Sequence, residues 1–244
     1  MSQTRLDQVL VERGLSSSRT EAQELIKSGK VLLNKIICIK QTKLVNENDE
    51  CVVLENRKYV SRGGEKLEGI FEDVYGNDYK AFVKNKTALD IGSSTGGFTD
   101  FLLKNDAYMV DAVDVGTEQL HESLLKNTKV NIFENTDIRN FKSNNEYDIV
   151  VADLSFISLR DVIDSIIGFG TKKKTKYFLL LKPQFEVGRG NTKKGIVKSI
   201  DLVSNLLNDT HKMLTEYGFL NIKILPCCIK GREGNQEYFI FAEI

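Results

Sequence analysis

The chain has 244 residues, of which 41% are hydrophobic and 28% charged, and its 34 basic residues balance its 34 acidic ones. This composition is typical of a globular protein, and the zero net charge excludes a general basic field, so any nucleic-acid site must be a local patch. No apolar run approaches the roughly 20 residues of a membrane helix and the N-terminus lacks a signal-peptide core, so we expect a cytoplasmic protein without a membrane segment.

Residues 1–57 predict a small α+β domain. TRLDQVLVERG has apolar positions at helical spacing, and SSSRTEAQELIKSGKV predicts a second helix in which Ser18 and Glu21 fit a capping box. VLLN, KIICIK and ECVVLE then predict short strands. We expect a linker at residues 58–64 and a second, larger domain at residues 65–244.

This layout resembles the RNA-binding domain named after ribosomal protein S4, and the match runs through RLDQVLVERGL and SRTEAQELIKSGKVLLN. In such domains the two helices and the following strand edge form a basic surface that faces RNA. The resemblance implies RNA contact through Arg5, Arg19, Lys27, Lys30 and Lys40. The alternative is that these side chains are ordinary solvated charges.

From about Thr87 onward, strand patterns alternate with helical ones, which predicts an α/β fold with a parallel, doubly wound, Rossmann-like sheet. The strands are predicted in TALDI, YMVDAVDVG, VNIFENTDI, YDIVVADLSF, KYFLLLKPQ, NIKILPCCI and EYFIFAEI. FLLL does not alternate with polar residues, so it is expected to be buried on both faces. The short loop between the last two segments indicates that the seventh strand is antiparallel.

Acidic residues stand near the ends of the first four of these strands, at Asp90, Asp114, Asp137 and Asp153, and open α/β sheets bind ligands at that edge. The turn DIGSSTGG is not GxGxxG, and an acid directly before it would repel a pyrophosphate but suits a cation. Asp114 is placed for ribose hydroxyls and Asp137 for an adenine amino group. The pattern favours S-adenosylmethionine over NAD, although helix capping by the acids is an alternative. The candidate cofactor residues are Asp90, Gly92, Ser93, Thr95, Gly96, Gly97, Phe98, Asp114, Val115, Asp137 and Ile138.

Across residues 4–241 the chain resembles the haemolysin A (TlyA) family, which joins an S4-type domain to an FtsJ-like ribose methyltransferase domain. The motifs include YVSRGGEKLEGIF, ALDIGSSTGGFTDFLL, ADLSFISL, LLLKPQFEVGRG and NQEYFIF. The resemblance implies methyl transfer to the 2′-hydroxyl of a cytidine in ribosomal RNA by a Lys-Asp-Lys-Glu tetrad. Matched motif by motif, the tetrad is Lys66, Asp153, Lys182 and Glu237.

These residue types suit the reaction because a ribose hydroxyl is a poor nucleophile and needs a base. A neutral lysine amine can take the proton; burial and a second ammonium favour the neutral form, and nearby carboxylates oppose it. We predict Lys182 as the base and Lys66 as the group that positions the hydroxyl, while Asp153 and Glu237 orient the amines. The sequence does not decide which lysine is neutral, and each residue alone also fits a structural role.

Two further residues are candidates for RNA contact. Phe156, three residues after Asp153, could stack on a cytosine that is splayed out of structured RNA, or it could belong to the core. Arg62, in the predicted linker, could couple RNA docking to closure of the second domain, or be a simple surface charge.

The resemblance also implies the substrate. The chain begins almost at the RNA-binding helix, as do shorter family members that act on the large subunit alone, so we expect 23S rRNA in a ribosomal subunit as partner. Activity is then expected to make ribosomes sensitive to capreomycin-type antibiotics. We expect a monomer. A non-catalytic RNA-binding protein, with a haemolysin-like or other role, is the alternative.

The cysteines and histidines predict neither a metal site nor a disulfide. No CxxC pair occurs, Cys227 and Cys228 are adjacent, and His121 and His211 lie far apart in the chain. Without a secretion signal, reduced thiols are the expectation.

Overall fold

A computed structural model of the chain describes residues 3–16, 18–54, 58–170, 175–188, 190–231 and 233–244. The chain divides into two compact units, Met1–Arg57 and Lys58–Ile244.

The first unit is an α+β domain, as predicted. Its helices are α1 (Leu6–Glu12) and α2 (Arg19–Lys27), and its strands are β1 (Thr4–Arg5), β2 (Val31–Leu33), β3 (Ile36–Ile37), β4 (Leu44–Val45) and β5 (Cys51–Val53). Three strands form an antiparallel sheet in the order β3-β2-β5, and β1 pairs with β4. Ser18 caps α2 through a hydrogen bond to its Oγ from the backbone N of Glu21, 3.2 Å away. The β1–β4 pair was not predicted, because two residues are too few to show an alternating pattern.

The second unit contains a seven-stranded sheet. Its strands are β6 (Thr87–Ile91), β7 (Met109–Val113), β8 (Val130–Phe133), β9 (Ile149–Ala152), β10 (Lys176–Leu181), β11 (Leu220–Pro226) and β12 (Tyr238–Glu243). Their order in the sheet is β11-β12-β10-β9-β6-β7-β8. Strands β6 to β10 are parallel, and β12 is antiparallel to both of its neighbours. The predicted doubly wound sheet and its antiparallel last strand are confirmed.

Helices cover both faces of this sheet. They are α3 (Arg62–Tyr75), α4 (Tyr79–Val83), α5 (Gly97–Lys104), α6 (Glu122–Leu125), α7 (Ile163–Ile167), α8 (Pro183–Glu186) and α9 (Ile200–Glu216), with 3-10 turns at Gly76–Asp78 and Leu159–Asp161. On one face, the ring of Phe178 in β10 stacks on Phe71 of α3, with ring centroids 4.1 Å apart. On the other face, Leu179 belongs to a core cluster with Leu214 of α9. The FLLL run is therefore buried on both sides.

Helix α3 begins inside the segment that was predicted as a linker. Arg62, Gly63 and Gly64 form its first turn, and Tyr59, just before it, is buried in the core of the second unit. The Tyr59 ring lies against the Cα of Gly64, where any side chain would collide with it. These contacts fasten most of the segment to the second unit.

The described ranges contain neither a membrane-crossing helix nor a metal cluster. None of their helices combines the length and apolar character that a lipid bilayer requires. Nor do their His, Cys, Asp and Glu side chains form a group of three or more that could hold a metal ion.

Candidate active site

The strand order aligns the predicted site residues along one edge of the sheet. The carboxyl ends of β6 to β10 meet at this edge, and β12 begins there because it runs the opposite way. From strand to strand, the row reads Glu237, Lys182, Asp153, Asp90, Asp114 and Asp137. The chain leaves β6 in one direction towards β7 and β8 and later returns on its other side at β9. Open α/β sheets bind ligands at such a reversal of strand order.

The four tetrad residues form two ion pairs. Lys66 Nζ lies 2.6 Å from Glu237 Oε2, and Lys182 Nζ lies 2.6 Å from Asp153 Oδ1. The two lysines are only 8% and 9% exposed, and Glu237 is buried as well. Because burying an unpaired ammonium is costly, the two carboxylates explain how this edge of the core accommodates both lysines.

Lys182 is placed by the abrupt end of β10. It is the N-cap residue of α8, and Pro183 occupies the first position of that helix, where a missing N–H costs nothing. The short helix turns the chain back, so that the ring centroid of Phe185 lies 5.9 Å from Lys182 Nζ. The amine thus has a carboxylate and an aromatic ring as neighbours.

Ser155 is a partner of Lys182 that the sequence analysis did not single out. Its Oγ accepts a hydrogen bond from Lys182 Nζ at 2.7 Å. Ser155 stands two residues after Asp153, so both polar partners of this amine come from the segment that follows β9. The signal was available in the motif DLS, which puts a carboxylate and a hydroxyl at alternate positions after a buried strand.

Lys66 is brought to the edge by close packing of α3 on α5. A Cβ on Gly97 would lie 2.9 Å from the backbone N of Gly64 and 3.0 Å from Cα of Gly63. The space beside Gly96 is filled in the same way, by the side chains of two leucines, Leu120 and Leu124. Gly96 and Gly97 were expected to let a ligand approach the backbone. In the structure, the space that a side chain would occupy at each of them is filled by atoms of the protein itself.

Gly92 connects the Gly-rich turn to the tetrad. Its φ is +77°, a conformation that other residues rarely adopt, and a Cβ would lie 2.7 Å from the carbonyl oxygen of Asp153. Only glycine therefore allows the turn after β6 to approach the backbone of Asp153 this closely.

Asp90 is a fully buried carboxylate in the middle of the row. Its Oδ2 accepts hydrogen bonds from the backbone N and the Oγ1 of Thr99, at 2.9 and 2.6 Å. Its Oδ1 is buried and has no hydrogen-bond partner among the described residues. Burial raises the pKa of Asp90 to about 7, and the nearby Asp153 and Asp114 carboxylates add to the rise, which the Thr99 hydrogen bonds oppose. A buried oxygen without a donor is costly, which is consistent with a position that a ligand donor fills.

Asp114 joins two neighbouring turns. Its Oδ2 accepts a hydrogen bond from the backbone N of Ser94 at 2.8 Å, and its Oδ1 accepts one from Gly116 at 2.7 Å. The other predicted residues of these turns differ in exposure, since Ser93 and Thr95 are half-buried and Val115 is exposed. Asp114 itself is half-buried at this edge.

Three other predicted cofactor residues are already engaged with protein. Arg139 holds the carboxylate of Asp137, with Nη2 2.5 Å from Oδ2 and Nε 2.9 Å from Oδ1. Hydrogen bonds from Arg139 lower the pKa of Asp137 to about 2. The side chains of Phe98 and Ile138 lie in the core, so a ligand at this edge would meet only the backbone of these two residues.

In the first unit, Arg5 and Arg19 both bind the buried carboxylate of Asp7. Arg5 Nη2 and Arg19 Nε lie 2.9 and 3.0 Å from Asp7 Oδ2, and Gln23 donates to the same oxygen at 2.7 Å. Burial alone would raise the pKa of Asp7, but the hydrogen bonds from Arg5, Gln23 and Arg19 outweigh it and hold the pKa well below its usual range. The two arginines that were predicted for RNA therefore have a structural role in this unit.

The predicted lysines of the first unit lie nearer the solvent. Lys27 and Lys40 are exposed, and Lys30 is half-buried. Lys27 is in the last turn of α2, and Lys30 directly precedes β2. These three side chains, rather than the arginines, are the more accessible basic groups of the predicted surface.

Phe156 has the geometry of an aromatic side chain held out from the core. It is 90% exposed, and its φ is +66°, a conformation that is uncommon for residues other than glycine. Its ring centroid lies 5.1 Å from that of Phe185, the residue beside Lys182. The core alternative for Phe156 is thus wrong, and Phe185 is a second aromatic residue here that the sequence analysis did not identify.

Arg62 lies at the start of α3, four residues before Lys66. Its Nη2 donates to the backbone O of Lys230 at 2.5 Å. This contact joins the first turn of α3 to the loop that precedes Glu237, so Arg62 lies close to one half of the tetrad.

Comparisons with known proteins agree with this geometry. A family model described as FtsJ-like methyltransferase matches residues 59–244, and a model of the S4 domain matches residues 4–51. The chain is 38% identical to the 23S rRNA (cytidine-2′-O)-methyltransferase TlyA of Campylobacter jejuni, over 95% of this chain and 96% of that one. This chain belongs to the TlyA family of FtsJ-like methyltransferases.

Two further similarities support the assignment to the TlyA family. The 16S/23S rRNA (cytidine-2′-O)-methyltransferase TlyA of Mycobacterium tuberculosis is 36% identical, over 97% of this chain and 88% of that one. A solved structure of a candidate hemolysin from Streptococcus thermophilus has a TM-score of 0.76 and 31% identity, and the match covers 100% of this chain and 89% of that one. The similarity thus includes both units of this TlyA-family protein.

Proposed function

We propose that this protein transfers a methyl group from S-adenosylmethionine to the ribose 2′-hydroxyl of a cytidine in ribosomal RNA. The observation that carries the proposal is the two ion pairs of buried lysines, Lys66–Glu237 and Lys182–Asp153, at the same sheet edge as Asp90. Relatives that match over nearly the full length are named for this reaction. The S4 domain at the N-terminus supports an RNA substrate.

Asp90 and Asp114 are the residues that we propose to hold the cofactor. When bound, S-adenosylmethionine supplies an electrophilic methyl group on a positively charged sulfur. No donor from the described residues reaches the buried Oδ1 of Asp90, which can therefore accept from a cationic group, and the half-buried Asp114 suits ribose hydroxyls. Asp137 would accept from an adenine amino group only by sharing its carboxylate with Arg139. A row of carboxylates fits a cationic nucleoside and would repel a pyrophosphate.

In the proposed reaction, Lys182 removes the proton from the 2′-hydroxyl and Lys66 positions the hydroxyl oxygen. Asp153 and Glu237 orient the two amines, and Ser155 gives Lys182 a second fixed contact. Only the neutral amine of Lys182 can accept this proton, because an ammonium has no free electron pair. Because the amines are already held in place, little reorganisation is needed when the substrate binds.

Phe156 and Phe185 are proposed to receive the target base. A ribose within structured RNA reaches a buried amine only if its nucleotide is splayed out, which costs stacking energy. The exposed ring of Phe156 offers a replacement stacking surface next to Phe185 and Lys182. Stacking on an aromatic side chain contributes about 1–3 kcal/mol per base.

The proposed substrate is 23S rRNA within an assembled large subunit, with the protein acting as a monomer. The C. jejuni relative is named for 23S rRNA alone and the M. tuberculosis relative for both subunit RNAs, so small subunits are a necessary comparison. By the family resemblance, we also propose that loss of the activity reduces sensitivity to capreomycin-type antibiotics.

The test combines the purified chain, labelled S-adenosylmethionine, and each ribosomal subunit from a strain that lacks the gene. We expect label in 23S rRNA at the 2′-oxygen of a cytidine, located by mass spectrometry of nuclease digests. Label on a base, or in 16S rRNA alone, would overturn the proposed substrate. RNA binding without any label would instead indicate a non-catalytic RNA-binding protein.

Cofactor affinity should depend on pH through Asp90. Since its pKa is raised to about 7, the carboxyl holds a proton below that pH, and a cationic ligand must displace it. We expect the Kd for S-adenosylmethionine to be constant well above pH 7 and to rise about 10-fold per pH unit below it, because one proton is released on binding. Titration calorimetry from pH 5.5 to 8.5 measures this.

The matched variant for this prediction is Asp90→Asn, which keeps the shape and loses the charge. Its affinity should be weaker and should lose the pH dependence that ionisation of Asp90 causes. An unchanged pH profile in this variant would remove Asp90 from the cofactor site. The folding stability of the free protein should depend on pH in the opposite direction to cofactor affinity. Asp90 binds a proton more tightly in the folded than in the unfolded state, so its contribution to stability falls as pH rises from about 4 through 7.

A further inference from the structure

A basic segment lies beside the tetrad and is not explained by the proposed cofactor and amine sites. Residues 190–198, GNTKKGIVK, are here called the basic arm. From residue 187 to residue 200 the sequence has four basic residues and no acidic one. Three of them, Lys193, Lys194 and Lys198, belong to the described arm, and their side chains are exposed.

The basic arm is fastened to the chain just before Glu237 by a buried amide. Asn235 is only 3% exposed, and its Oδ1 accepts a hydrogen bond from the backbone N of Val197 at 3.0 Å. Its Nδ2 donates to the backbone O of Gly195 at 2.8 Å. Lys193 and Ile196 close the arm with a two-way backbone pairing. Because the buried side-chain amide of Asn235 both donates to and accepts from the basic arm, it holds the arm in one position.

Asn235 also couples the basic arm to the tetrad. It stands two residues before Glu237, and its backbone O accepts a hydrogen bond from Gly231 N at 2.9 Å. The Lys230 carbonyl of the same loop is held by Arg62. The position of the arm is therefore tied to the segment that presents Glu237 to Lys66.

The charge of the arm faces solvent rather than protein. Among the described residues, no carboxylate forms an ion pair with Lys193, Lys194 or Lys198, whereas Arg5 and Arg19 in the first unit are both held by Asp7. One acid, Glu233, lies against the backbone of Gly195. Lys230, on the adjoining loop, is exposed too. The surface thus has an excess of positive charge, and the hydrogen bonds of Asn235 tie it to the segment that precedes Glu237.

We propose that the basic arm binds the phosphate backbone of the substrate RNA next to the target nucleotide, and that Asn235 is the positioning residue that holds it there. This inference rests on the proposed function, because it requires an RNA substrate. Phosphates are its ligand because exposed ammonium groups without partners gain most from a dense row of negative charges. The arm reads no base sequence; it holds the strand while the tetrad acts on one ribose.

The test is a triple variant, Lys193→Gln with Lys194→Gln and Lys198→Gln, compared with a matched triple on the opposite side. The control is Lys80→Gln with Lys84→Gln and Lys126→Gln, three exposed lysines that precede the amino ends of β6 and β8. Both triples remove the same charge. Binding to large subunits that lack the modification is measured from 50 to 300 mM salt.

We expect only the arm triple to weaken binding and raise the KM for subunits several-fold, with the Kd for S-adenosylmethionine unchanged. The slope of log K against log salt concentration should be less steep by about 2, because three phosphate contacts are lost and each releases about 0.7 counterions on a single strand. An equal effect of the control triple, or an unchanged slope, would overturn the proposal. If the wild type binds subunits but methylates none, the proposed function fails while the arm is still tested by binding.

Asn235→Ala separates positioning from simple stability. This variant should raise the KM for subunits more than it lowers kcat. Combining it with the arm triple should weaken binding little beyond the triple alone, because an arm that is no longer held in position does not contribute to binding. Full additivity of the two changes, or a loss confined to thermal stability, would show that Asn235 does not act through the arm.

Discussion

Replacing Lys182 by alanine is expected to reduce methyl transfer to ribosomal subunits by about 10²–10⁴-fold, the usual contribution of a positioned general base. Cofactor affinity should change little, because the proposed contacts of S-adenosylmethionine are with Asp90 and Asp114. The loss should fall on kcat more than on KM. Single-turnover transfer of labelled methyl groups, together with calorimetric titration of the cofactor, measures both quantities.

The same strand supplies the control. Lys176 begins β10 and forms an ion pair with Glu243, with Nζ and Oε1 2.8 Å apart, so Lys176→Ala removes a partly buried ion pair from the other end of β10. This variant should retain transfer. If Lys182→Ala transfers nearly as well as Lys176→Ala does, Lys182 is not the base.

Arginine substitutions decide between the two lysines. A guanidinium keeps its charge in proteins and cannot accept a proton, but it can still position an oxygen. We therefore expect Lys66→Arg to retain measurably more activity than Lys182→Arg. The reverse order would assign the base to Lys66 and leave Lys182 as the group that positions the hydroxyl.

In the first unit, replacing Arg5 and Arg19 by glutamate should unfold or loosen the domain rather than simply weaken RNA binding. The change would set two carboxylates against the buried Asp7, whose remaining side-chain partner among the described residues is Gln23. We expect the midpoint of thermal unfolding of this unit to fall by on the order of 10 °C, since about 1 kcal/mol shifts a domain of 60–100 residues by 4–8 °C. Hydrogen exchange of the α1 and α2 amides locates the effect.

Two further variants make this prediction specific. Adding Asp7→Asn to the charge reversal should recover part of the lost stability, because the buried negative charge is then gone. Lys27→Gln with Lys40→Gln should weaken subunit binding while the unfolding midpoint stays that of the wild type, because both side chains are exposed. If the arginine reversal leaves exchange of α1 and α2 unchanged, the interpretation of Asp7 as a structural centre is wrong.

Much of the fold was predictable because buried positions are occupied by apolar residues at the spacing of a helix or a strand. The unbroken apolar run FLLL predicted a strand covered on both faces, and Phe178 and Leu179 do pack into clusters on opposite sides of the sheet. Ser18 and Glu21 marked the start of α2 through a local hydrogen bond. Such signals act within one element, so a single stretch of sequence contains them.

The partners of the charged residues were not predictable in the same way. Lys66 and Glu237 are 171 residues apart in the chain, and they meet only because β12 inserts next to β10 and α3 packs on α5. Asp7 was not singled out in the sequence, yet folding buries it and brings Arg5 and Arg19 to its carboxylate. Phe98 looked like part of a ligand turn, yet it lies in the core.

Taken alone, the amino-acid sequence predicted two domains, the class of the sheet, and the motifs that contain the two lysines and two carboxylates of the tetrad. Only the tertiary structure decided which lysine pairs with which carboxylate, that Ser155 and Phe185 accompany Lys182, and that Asn235 fastens a basic arm beside Glu237. The physical reason is how far apart in the chain the interacting residues lie. Periodicity and capping are set by neighbours along the chain, whereas the electrostatics of a buried charge depend on groups that only the packing of distant elements brings together.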